Sequence, residues 1–119
     1  MDKLDVIFNM QKALDDDIAA RRNLPELSNE VWIQKEVLAM VSELGELLNE
    51  VNFKWWKNDK PMNSDAVKEE MIDILHFFVG MCIKAGMDAD ELYAVYVKKN
   101  KENYDRQYGR SSKQGYMSL

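Results

Sequence analysis

The chain has one cysteine, one histidine and two prolines among its 119 residues. Cys82 has no second cysteine to pair with, which fits a reducing compartment and predicts a cytoplasmic protein. With His76 as the sole histidine, a zinc site is disfavoured, because such sites usually draw on several His or Cys ligands. The paired Glu-x-x-His motifs of di-iron bundles are missing as well. Two prolines and five glycines leave little material for the turns of a β architecture. No apolar run approaches the roughly 20 residues of a membrane span. The acidic start, Met1-Asp2-Lys3-Leu4-Asp5, has no apolar stretch of the signal-peptide kind, so no membrane partner is expected. Basic residues are in deficit: 16 Lys and Arg against 21 Asp and Glu give a formal charge of -5. That balance argues against a nucleic-acid partner, since phosphate contacts need Lys and Arg. A P-loop, a dinucleotide fingerprint, a nucleophile elbow and a CxxC pair are all absent, which disfavours those chemistries.

What remains is 46% apolar and 31% charged, a balance suited to a helical protein with a charged surface. The pattern predicts an all-α fold, a bundle of about four main helices. The first spans about Leu4 to Arg22, with a stripe of Leu4, Ile7, Phe8, Gln11, Leu14, Asp15 and Ile18. After a turn holding Pro25, Ser28 or Asn29 caps a second helix from about Glu30 to Phe53. Its apolar sector is Ile33, Met40, Leu44, Leu47 and Val51, bordered by an acidic strip of Glu36, Glu43, Glu46 and Glu50. A loop with Trp55, Trp56 and Lys57 leads to a third helix, capped by Asn63 or Ser64 and closed by Gly86. Val67, Met71, Ile74, Phe77, Phe78 and Met81 make this helix apolar on much of its circumference, so it should be central. Asp88 and Glu91 form a capping box for a fourth helix to about Gln107. Residues 1–107 are thus expected to be the catalytic domain and 108–119 a mobile tail. The second and third helices carry more apolar surface than one partner layer covers, which predicts a homodimer.

Two short motifs carry the chemistry. Glu43-x-x-Glu46 and Glu70-x-x-Asp73 each place two carboxylates one helical turn apart on one face. Two unit charges about 4 Å apart repel by roughly 4 kcal/mol at an effective dielectric near 20. Gathering four of them asks for a cation, and all-oxygen ligation points to Mg²⁺, with Mn²⁺ also suited. Two or more such ions could bridge a polyphosphate and turn bound water into a nucleophile. Gln11, an amide on an apolar stripe, needs a partner, because an unpaired buried amide costs about 1–3 kcal/mol.

The spacing of the two acidic motifs, 23 residues apart, resembles the signature of the all-α nucleoside triphosphate pyrophosphatase superfamily. That group includes MazG-like enzymes and the dimeric dUTPases. Further blocks resemble the dimeric dUTPase branch. They are Gln11-x-x-Leu14-Asp15, Phe53-Lys54-Trp55-Trp56-Lys57, Asp73-x-x-His76-Phe77, and Lys99-Asn100-x-x-Asn103-x-x-Arg106-Gln107 followed by Gly115-Tyr116. The resemblance implies hydrolysis of dUTP to dUMP and pyrophosphate. It implies metal held by Glu43, Glu46, Glu70 and Asp73, with Glu43 and Glu46 also catalytic. Gln11 would read the uracil edge, with Asp15 beside it where some members carry an amide. Trp56 would flank the base, Lys57 would meet a phosphate, and His76 would contact the sugar or orient Asp73. Lys99, Asn103 and Arg106 would meet the phosphates, with Asn100 also binding the substrate and Tyr116 closing over the phosphates. The spacer before Gly115-Tyr116 is longer here than the family pattern. The same chemistry on another base, as in MazG-like or dCTP-cleaving enzymes, is the nearest alternative. A non-catalytic helical dimer, or an ion-binding module, is the alternative of another kind.

Overall fold

The computed structural model describes residues 1–110. Four helices make up nearly all of it: α1 (Lys3–Arg21), α2 (Asn29–Glu50), α3 (Ser64–Lys84) and α4 (Ala89–Gln107). No strand occurs among the described residues, so the fold is all-α. Each helix begins where a short polar side chain satisfies an orphan amide. Ser28 accepts from the Val31 amide and Asn63 from the Ala66 amide. The reciprocal capping box falls on α1, between Asp2 and Asp5. At α4 the cap is one-sided: Asp88 accepts from the Glu91 amide. Gly86, at φ +83, ends α3 in the left-handed region that Gly enters without steric cost. No helix among the described residues is long and apolar enough to cross a membrane.

α2 stops at Glu50 rather than Phe53. The reason is Asn52, which takes φ +54, a left-handed conformation that Asn tolerates better than most residues. Its side chain then clamps the loop, donating to the Lys60 carbonyl at 2.8 Å and accepting from the Lys60 amide at 3.1 Å.

The chain forms two compact units, residues 1–86 and 87 onward. In the first, α3 packs against both α2 and α1, as its broad apolar surface predicts. The core is centred on Val79 (2% exposed), Gly80 and Cys82, with Phe8 from α1 and Val67. The expected core positions Met71 and Phe78 are instead 52% and 39% exposed, because α3 turns its Gly80 face toward its neighbours. Exposed Val37, Leu38, Val41, Leu44 and Leu48 on α2, with Met71, Ile72 and Leu75 on α3, leave a large apolar surface in water.

The second unit holds α4, laced by i,i+4 ion pairs from Lys101 to Asp105 (2.8 Å) and Glu102 to Arg106 (3.6 Å). The Tyr104 and Tyr108 rings stack at 6.3 Å, and the Arg110 guanidinium lies over Tyr108.

Candidate functional site

Glu43 and Glu46 are one turn apart on α2, and Glu70 faces them from α3. Carboxylate oxygens of all three lie within 4.8 Å of one another. Glu43 and Glu70 are half-buried, Glu46 is exposed, and one oxygen each of Glu43 and Glu70 is buried without a hydrogen-bond partner. The Glu43 carboxyl, hydrogen-bonding to protonated Glu70, pushes Glu70 up to about 7; partial burial and the charge of Glu46 add to the rise. Three converging carboxylates with unsatisfied oxygens suit a hard divalent cation. Asp73 stands half-buried one turn along α3 from Glu70, outside that trio.

α2 and α3 run antiparallel, since Glu46 and Glu43 face Glu70 while the earlier Glu36 faces the later Gly80. This register puts Asp73 level with Glu43, and Glu36 and Ala39 on α2 with His76 and Phe77 on α3, one to two turns away along the same helices, line a pocket. The pocket has a volume of about 660 Å³ and lies between α1, α2, α3 and the turn after α1. Leu14, Ile18, Trp32 and Phe77 give it apolar walls, while Gln11, Asp15, Glu36, His76 and Lys84 supply polar groups. That mixture is typical of small-molecule sites.

Gln11 is 6% exposed, and its amide is satisfied at both ends. Its Nε2 donates to Asp15 Oδ1 at 2.9 Å, so its Oε1 faces His76 Nδ1 at 2.5 Å and accepts the proton there. The second N–H and the second lone pair of the amide remain for a ligand. Burial raises the Asp15 pKa, opposed by the hydrogen bond from Gln11 and the charge of Lys84.

Glu36 was legible only as part of an acidic strip, yet it is a pocket residue. Burial pushes its carboxyl up to about 7, with Asp15 adding to the rise and Lys84 opposing it. Gly80 makes the meeting possible: a Cβ there would lie 2.9 Å from Glu36 Oε1 and 3.1 Å from Asp15 Oδ2. The signal in the sequence was spacing, for Glu36 precedes Glu43 by two full turns and Gly80 follows Asp73 by two.

Trp56 and Lys57 are exposed on the Asn52-clamped loop, where Trp55 and Trp56 meet edge to face at 4.5 Å. Lys99, Asn100, Asn103 and Arg106 belong to α4 in the second unit. Tyr116 lies outside the described residues.

With this geometry in place, comparison with known proteins is decisive on kinship. A family model described as dUTPase matches residues 3–85, which covers α1 to α3 and both acidic motifs. The chain belongs to the dUTPase family. Two curated relatives are similar to parts of this family member. A dCTP pyrophosphatase of Enterobacteria phage LZ5 is 34% identical over 74 residues, 62% of this chain and 43% of the relative. A dCTP pyrophosphatase of Enterobacteria phage T4 is 40% identical over 47 residues, 40% of this chain and 28% of the relative. The chain thus spans less than half the length of these relatives. No solved structure matches it.

Proposed function

We propose that this dUTPase-family chain is a divalent-metal-dependent pyrophosphohydrolase that converts a pyrimidine deoxynucleoside triphosphate to its monophosphate and pyrophosphate. The observation that carries this reading is the placement of the carboxylate trio and the pocket on the same pair of helices, one to two turns apart. Glu36 and Glu43 are seven residues apart, roughly 10 Å along α2. A nucleotide can therefore set its phosphates at one end and its base at the other. Glu43, Glu46, Glu70 and Asp73 would hold Mg²⁺ or Mn²⁺, two or more ions in number. When bound, such ions clamp phosphate oxygens and lower the pKa of bound water. Gln11, oriented by Asp15 and His76, presents one donor and one acceptor to the base edge. Trp56 flanks the nucleotide and Lys57 meets a phosphate. Lys99, Asn103 and Arg106 would add phosphate contacts, with Asn100 also binding the substrate and Tyr116 closing over the phosphates, as the resemblance implies.

The block pattern and the family match support dUTP as substrate. The names of the phage relatives support dCTP as a second reading. The exposed apolar surface of α2 and α3 supports a homodimer, and the acidic balance supports a protein without a nucleic-acid partner. We place it in the cytoplasm on its single cysteine. The deciding experiment is a panel of deoxynucleoside triphosphates with Mg²⁺ or Mn²⁺, scored for pyrophosphate and monophosphate. Metal-dependent pyrophosphate release is expected from a pyrimidine member. Release from none would leave a non-catalytic helical module.

A further inference from the structure

Resting on that reading of the pocket as a base site, one of its carboxyls has a distinct consequence for the base. Glu36 Oε2 is buried and has no hydrogen-bond partner among the described residues. Its other oxygen is directed over Gly80 toward Asp15. Lys84 is the cation nearest in effect to both carboxyls, and its ammonium also sits over the Trp32 ring at 5.6 Å. Lys84 therefore acts on both acids, yet neither Lys84 nor any other described side chain hydrogen-bonds Glu36 Oε2.

Uracil and cytosine differ where this matters. Cytosine carries an exocyclic amino group, a donor, at the position where uracil carries a carbonyl oxygen. Above pH 7 the Glu36 carboxyl is ionised, and an ionised carboxylate accepts hydrogen bonds and donates none. It satisfies the amino group of cytosine and opposes the carbonyl oxygen of uracil. We infer that Glu36 is a specificity-determining residue, its free oxygen receiving the exocyclic amino group of a cytosine-type base held against Gln11. The chain then prefers dCTP to dUTP. Gly80 is part of the device, because a side chain there would drive Glu36 and Asp15 apart. Asp15 acts indirectly: it holds Gln11 Nε2, which fixes which end of that amide faces the ligand.

The test compares kcat/KM for dCTP and dUTP at pH 8 with saturating Mg²⁺, for the unmodified chain and for Glu36→Gln. The unmodified chain should favour dCTP. The variant amide can donate to the uracil carbonyl, so the dCTP-to-dUTP ratio should fall about tenfold or more. An unchanged ratio, or a native preference for dUTP, overturns the assignment and leaves Glu36 a buried structural acid beside Lys84. Equilibrium binding of dCMP and dUMP to the unmodified chain gives a second readout, independent of turnover and of how the variant folds. Tighter dCMP supports the inference, and equal or tighter dUMP overturns it. Failure of every triphosphate to be hydrolysed would instead sink the pyrophosphohydrolase reading, while the monophosphate pair still decides Glu36.

Discussion

Glu43 on α2 and Glu70 on α3 bring carboxylate oxygens within 4.8 Å across a helix–helix contact, and each keeps one buried oxygen unpartnered. Such a pair holds a proton when no cation is present. This is why Glu70 titrates near 7 rather than near 4.5.

Metal binding must therefore displace that proton. Mg²⁺ affinity should rise as pH increases from 6 to 8, with proton release on binding that fades above 8. Calorimetry in two buffers of different ionisation enthalpy measures the release directly. Affinity independent of pH would mean that Glu70 is not a ligand.

Glu46→Gln and Asp73→Asn should fold and lose turnover by on the order of a hundredfold. Removing a like charge relieves repulsion, so melting without metal should be unchanged or higher. A marked loss of metal-free stability with turnover kept would make these residues structural.

Glu36 links stability to pH. Its folded pKa of about 7 lies above the ordinary 4.5, so the folded state binds the extra proton between those values. Stability should then fall as pH rises from 4.5 to 7 and level off beyond. Urea midpoints at pH 5 and pH 8 should differ less in Glu36→Gln than in the unmodified chain, with Glu70 supplying the remaining slope. Equal slopes in both would show that Glu36 is not perturbed.

Gly80→Ala sets two effects against each other. The helix gains about 1 kcal/mol of propensity. The new Cβ crowds Glu36 and Asp15 oxygens, and overpacking costs about 1–3 kcal/mol. Those oxygens are side-chain tips that can swing aside, so net stability should change by about 1 kcal/mol or less while base discrimination suffers. A loss well beyond that by denaturant titration would show that the two carboxyls are rigidly held.

Asn52→Gly keeps the left-handed turn at the end of α2 and deletes both bonds to Lys60. The cost should be about 1 kcal/mol, since exposed hydrogen bonds contribute modestly. The indole emission of the Trp55–Trp56 pair should shift as the loop loosens, and KM should rise more than kcat falls. Unaltered emission and KM would release this loop from any part in binding.

The sequence by itself determined the four helices, because caps at Ser28, Asn63 and Asp88 and the glycine stop at Gly86 are local devices. It also determined that Glu43 and Glu46 share one face of α2 and Glu70 and Asp73 one face of α3, each beside an apolar sector, since periodicity fixes the side of the helix on which a residue falls. That Glu70 meets Glu43 and Glu46 while Asp73 stands outside the trio was decided by packing. Gln11 was legible for a similar reason: an amide on an apolar stripe must find partners. One partner, Asp15, is its i,i+4 neighbour on α1, whereas the other, His76, needed the fold, because it lies 65 residues away. Glu36 read as one more charge in a strip until α3 presented Gly80 to it. The exposure of Met71 and Phe78 was hidden likewise, since apolarity does not say which face of a central helix meets a neighbour. Helix formation and facing are decided within a few turns of chain, whereas the shift of pKa at Glu36 and Glu70 arises from charges that only tertiary packing brings together.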